Sequence, residues 1–100
     1  MASITEFQAR VDEGGDPPSA LDPCLRALWL GRSGDWEGSH DIVNDISTPL
    51  GSWIHAWLHR VEGDLSNANY WYQLADRPPM ECELEEEWRE LVGAALSSSS

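Results

Sequence analysis

Shifted by 29 residues, the chain lies on itself without a gap. Leu21 meets Leu50, Leu25 meets Ile54, Ala27 meets Ala56, and Leu28-Trp29 meets Trp57-Leu58. Gly34-Asp35-Trp36 meets Gly63-Asp64-Leu65, and Ile42-Val43 meets Trp71-Tyr72. Each copy reads as a helix, a tight Gly-Asp turn and a second helix. A self-match at such a period marks stacked helical hairpins. One hairpin cannot cover its own apolar face, so neighbours stack on it and terminal helices cap the array.

Helix punctuation supports this reading along the whole chain. Ser3 and Glu6 form a capping box ahead of Ile4, Phe7 and Val11, which share one helical face. Gly14-Gly15 and Pro17-Pro18 separate that helix from a second, expected from about residue 19 to 32, with Leu21, Leu25, Leu28 and Trp29 inward. Pro23 suits its first turn, Gly34 stops it and Asp35 caps the third helix, expected over 36–46. Thr48-Pro49 starts a fourth helix, to about residue 62, whose apolar stripe is Leu50, Trp53, Ile54, Trp57, Leu58 and Val61. Gly63-Asp64 opens a fifth with Leu65, Ala68, Trp71, Tyr72 and Ala75 on one face. Asp76-Arg77-Pro78-Pro79 breaks it. A last helix over 81–96 aligns Leu84, Trp88, Leu91, Val92 and Ala95, while Glu81, Glu83, Glu85, Glu86, Glu87 and Glu90 read as a solvated face. The expectation is one all-α domain over 1–96, right-handed and solenoid-like. Hairpins at 19–46 and 49–75 are flanked by capping helices at 4–13 and 81–96, with a polar tail at 97–100.

The segment Gly63-Asp64-Leu65-x-x-Ala68-x-x-Trp71-Tyr72-x-x-Ala75 resembles the second helix of a tetratricopeptide or Sel1-like repeat. The resemblance covers roughly residues 21–77. It implies that Gly63-Asp64 is the turn within a hairpin and that Ala68 is the small residue where two helices approach. The first copy follows with Gly34-Asp35-Trp36 but carries Ser39 and Ile46 at the two alanine positions. The repeat is also shorter than the usual length of about 34 residues. The run from Trp53 to Tyr72 resembles a group of small bacterial proteins of unknown function as well. Both resemblances speak to architecture and carry no chemistry.

Composition removes several functions. Eighteen acidic residues against six arginines give a net charge of −12, opposite to the basic footprint that nucleic acids and anionic membranes require. The chain has no lysine, which excludes a Schiff-base lysine and a Walker A loop. Cys24 and Cys82 stand far apart with no CxxC, so no disulfide framework is expected and a reducing, cytoplasmic setting is the default. The beginning of the chain has no basic and apolar leader pattern, and the longest apolar run, Ala27 to Leu30, is too short to span a bilayer.

Three functional readings remain. The first is a protein-interaction module with no catalysis and no cofactor, binding a protein or peptide. The first helices of the two hairpins would line its concave surface through Arg26, Leu30, Ser52, His55 and His59, with Tyr70 as an exposed aromatic contact. The second is a metal-binding or hydrolytic protein. His55, His59 and Glu62 recur at i, i+4 and i+7, a spacing that shares one helix side opposite the apolar stripe. Ala56-Trp57 rules out the HExxH pattern there, and a plain polar helix face accounts for the same spacing. The third is a homodimer or larger assembly that buries a tryptophan-rich face. His40, beside Trp36 and Val43, reads as a histidine bonded to a neighbouring carbonyl or acid. Cys24, near a helix N-terminus, reads as a small buried thiol.

Overall fold

A computed structural model describes residues 3–98. These residues form α1 (Ile4–Asp12), α2 (Pro23–Ser33), α3 (Trp36–Asn44), α4 (Pro49–Val61), α5 (Leu65–Leu74) and α6 (Leu84–Ser98), and they contain no strand. The expected helices are all present, with some ends moved. The second helix begins at Pro23 because the Asp22 side chain accepts from Cys24 N–H and fills the cap position. The last begins at Leu84, three residues later than expected, and runs through Ser97 and Ser98. The remaining two tail residues, 99 and 100, lie outside the described residues. No helix among the described residues is long and apolar enough to cross a membrane.

The two helix pairs close with the same device. Gly34 and Gly63 both take left-handed φ, 101° and 86°. The following aspartates, Asp35 and Asp64, donate their N–H to Leu30 and His59 carbonyls and cap α3 and α5 through their carboxylates. The small residues behave as the pattern predicts. Ser39 and Ala68, 29 residues apart, are both fully packed. The Ser39 hydroxyl donates to the Ala27 carbonyl at 2.6 Å, so a polar atom sits in the contact without a hydrogen-bond deficit.

The packing around α4 is closed rather than open on one side. That helix touches α2, α3, α5 and α6, and every residue from Trp53 to His59 is buried. A helix enclosed by four neighbours buries residues all round its circumference. The face opposite the stripe, expected to be open, is therefore inside. Conversely, Leu65 and Val61, expected inside, are exposed, Leu65 at 62%. They stand at the α4–α5 turn, beyond the reach of the neighbouring helices.

The acidic run of the last helix is also not uniformly solvated. Glu87 is 0% exposed. Its carboxylate accepts from Trp53 Nε1 at 2.9 Å, Tyr72 hydroxyl at 2.5 Å and Arg60 Nη1 at 2.5 Å. Burial, reinforced by the bond to Glu87, pushes the Tyr72 phenol well above its ordinary range. Four of the six indole N–H groups find carbonyl oxygens: Trp29 on Gly15, Trp36 on Leu58, Trp57 on Leu84 and Trp88 on Leu28.

Two expected outcomes follow from this packing. Ala68→Leu should overpack the α4–α5 contact and lower stability by about 1–3 kcal/mol in urea unfolding. Placing leucine at the next position, Asn69→Leu, where the side chain is exposed, should stay within about 0.5 kcal/mol of wild type. Glu87→Gln leaves the Arg60 charge without its carboxylate and should cost about 3 kcal/mol. Glu86→Gln, on the exposed side of the same turn, should be nearly silent.

Candidate metal centre

His55 and His59 sit one turn apart on α4, so their rings project to the same side. They are 2% and 5% exposed. α3 lies alongside and contributes His40, half-buried. The three rings converge. His55 Nε2 lies 2.9 Å from His40 Nε2, and the His55 and His59 rings stack at 5.0 Å. The His40 ring meets the His55 ring edge-on at 4.5 Å and lies 5.6 Å from that of His59. One ligand nitrogen from each falls within 4.8 Å of the other two.

Two indoles wall this cluster. Trp71 of α5 stacks on His55 with ring centroids 3.6 Å apart, and Trp36 of α3 stacks on His40 at 4.7 Å. Trp36 is itself anchored, donating Nε1–H to the Leu58 carbonyl at 2.7 Å. Glu62, at the C-cap of α4, holds His59 Nδ1 at 2.6 Å. A carboxylate there accepts from Nδ1–H, so Nε2 is the nitrogen on which a metal would sit.

Burial, with the charges of His40 and His59 beside it, pulls the His55 pKa down to about 4. His55 is thus neutral near pH 7 and offers a lone pair without competition from a proton. Its Nδ1 is buried with no hydrogen-bond partner. The close His40–His55 contact requires one ring to donate and the other to accept, so the pair shares a single proton between two aimed nitrogens.

The sequence-based site residues separate in the structure. His55 and His59 are together, but they are enclosed, so the concave surface drawn through them and Arg26, Leu30 and Ser52 does not exist as an open groove. Arg26 turns back to donate to the Pro18 and Ser19 carbonyls, and Leu30 is half-buried. Ser52 lines a shallow cleft with Trp71, Leu74 and Ile46. Tyr70 is exposed at 55% and meets Trp71 edge-on. Glu62 joins His59, but the grouping that holds it contains Asp64 and not His55. His40 bonds to a histidine rather than to a carbonyl or acid. Its place beside His55 was invisible in the chain, because a separation of 15 positions carries no spacing signal and only the α3–α4 packing joins the two. Cys24 is half-buried, and desolvation raises its pKa to about 11, which keeps its thiol protonated near pH 7.

No family model, no curated protein and no solved structure matches the chain.

The depressed His55 pKa sets a pH dependence. Unfolded histidine takes its proton near pH 6.5 and His55 in the fold near 4, so the unfolded chain binds more protons between those values. The stability from the neutral ring is full above about pH 6.5 and is lost as pH falls toward 4. In chelator-treated protein, this accounts for a loss of up to about 3 kcal/mol over that window. Urea unfolding across the window should show a shallower slope for His55→Gln than for wild type.

Proposed function

We propose that the protein binds one divalent transition metal ion of the zinc class through His40, His55 and His59. The observation that carries this reading is the convergence of three largely enclosed imidazoles whose nitrogens lie within 4.8 Å of one another. Three neutral histidines are a recurrent zinc ligand set, with metal–nitrogen distances of about 2.0–2.1 Å. Tetrahedral geometry then separates two ligand nitrogens by about 3.3 Å. The 2.9 Å between His40 and His55 is close to that value, so loading asks for a small outward shift and replacement of the shared proton. Glu62 supports the site in the manner of carboxylates behind metal-bound histidines, fixing the His59 tautomer. The site is read as a binding centre, and no reaction is assigned to it.

The scaffold that we propose for this centre is a two-hairpin helical repeat, right-handed and solenoid-like, similar to tetratricopeptide or Sel1-like arrays. The equal Gly-Asp turns, 29 residues apart, support it. Free cysteines fit a cytoplasmic setting. A second reading, the interaction module, is favoured by one observation: Tyr70 and Leu74, one turn apart on α5, are both exposed. They are the residues that we assign to a protein partner or a second copy of the chain. Light scattering tests the latter, since Tyr70→Ser should convert a dimer to monomer and a monomeric wild type would remove that arm.

The metal reading is checked with protein purified without a histidine tag. Cobalt(II) titration should give a visible d–d absorption that saturates at one equivalent per chain, and zinc should displace it. Single changes His40→Ala, His55→Ala and His59→Ala should each abolish the signal. Glu62→Gln should weaken affinity about 10–100-fold. Full-affinity binding to His40→Ala would sink the three-histidine assignment.

A further inference from the structure

A second feature, independent of the histidines, concerns Arg77. Four of the six arginines are engaged: Arg26 on backbone carbonyls, Arg32 on Asp12 and Glu85, Arg60 on Glu87, and Arg89 on Gln8 and Thr5. Arg77 is half-buried and forms no ion pair among the described residues, in a chain with eighteen acids. Its guanidinium lies over the Trp53 ring, 3.4 Å from the centroid, and its Nε is buried without a hydrogen-bond partner. The backbone holds it there. Asp76 takes a left-handed φ of 59°, and Arg77 N–H donates to the Tyr72 carbonyl at 3.2 Å.

The cleft beside this guanidinium measures about 280 Å³ and has apolar walls from Leu50, Trp53, Ala75 and Ala94. A neighbouring cleft of about 440 Å³ shares Pro49, Leu50 and Ser98 with it and continues to Ile46, Pro23 and Cys24. Together they make an apolar furrow with a cation in one part and Asp22 in the other. The first turn of α4, at Pro49 and Leu50, lies along both clefts and brings the positive end of a helix dipole to where they meet.

We infer that this furrow binds an aliphatic monocarboxylate of the fatty-acid class, its carboxylate on Arg77 and its chain along Leu50 toward Ile46. A planar guanidinium with unused donors matches a carboxylate, and the apolar walls match a hydrocarbon chain. Asp22 disfavours a second carboxylate at the tail, which selects a monoacid over a diacid.

Isothermal titration of the full chain with decanoate, below its micelle concentration, tests this. Decanoate binds at one site, and butyrate and decanol bind more weakly, because one lacks the chain and the other the charge. Arg77→Gln lowers decanoate affinity about tenfold or more, the range for loss of a charged hydrogen-bond partner, and leaves decanol unchanged. Ala94→Trp, which fills the cleft and keeps Arg77, abolishes decanoate binding, so the inference stays testable if Arg77→Gln fails to fold. Equal decanoate affinity in wild type and folded Arg77→Gln, retained binding in Ala94→Trp, or butyrate as tight as decanoate would overturn it. So would stronger competition from a short peptide with a free C-terminal carboxylate.

Discussion

A single buried carboxylate ties the second half of this molecule together. Glu87 on α6 holds Arg60 and Trp53 of α4 and Tyr72 of α5, and each of those groups is costly to enclose alone. Arg60 extends the link, donating through Nη2 to the Cys82 carbonyl just before α6. Removing Glu87 strands all three donors, and removing one donor leaves the buried carboxylate short of a bond. The network also fixes register. Only one rotation of α6 brings Glu87 onto three donors while Trp88 reaches the Leu28 carbonyl on the far side.

The same helix serves two opposite purposes. On α4, Trp53, Trp57 and Arg60 recur at i, i+4 and i+7 and turn toward α6. His55, His59 and Glu62 recur with the same spacing on the other side and gather against α3 and α5. The first set locks α4 in place. The second is therefore presented on a rigid element whose rotation is already decided. Precise ligand sets are best built on such elements. Stability and the candidate metal centre are two faces of one thirteen-residue helix.

The helices were legible because their ends carry local chemistry. Ser3, Asp35, Thr48 and Asp64 cap where their side chains reach the next turn, and Gly34 and Gly63 exit where only glycine is comfortable. The surroundings of a helix are not local chemistry. The apolar stripe of α4 predicts His55 and His59 on an open concave surface, whereas α4 has four neighbouring helices and both rings are enclosed. One sign was available. Apolar residues encircle α4, from Leu50 through Ala56 to Leu58, which is the pattern of an enclosed helix. Glu87 gave a similar sign, standing three residues after Leu84 and four before Leu91, at a position the inward stripe would occupy. His40 and Arg77 had no comparable signal, since their significance lies in contacts made across the fold.

The order in which these groups leave the ribosome gives the Glu87 network a further meaning. α2 through α5 are complete before Glu87 is synthesised, and within them Arg60 and the Tyr72 hydroxyl have no counter-group of their own. The nascent chain can pair helices across the Gly-Asp turns, because those contacts are local, yet it cannot close the space around Arg60 until α6 emerges. Vectorial synthesis thus divides into an early phase of loose helix pairs and a late step in which the last helix seals them. Stalled chains ending before Glu81 should remain open to protease at the α4–α5 segment, and chains carrying α6 should resist. Protection that arrives with α5 alone would contradict the late seal.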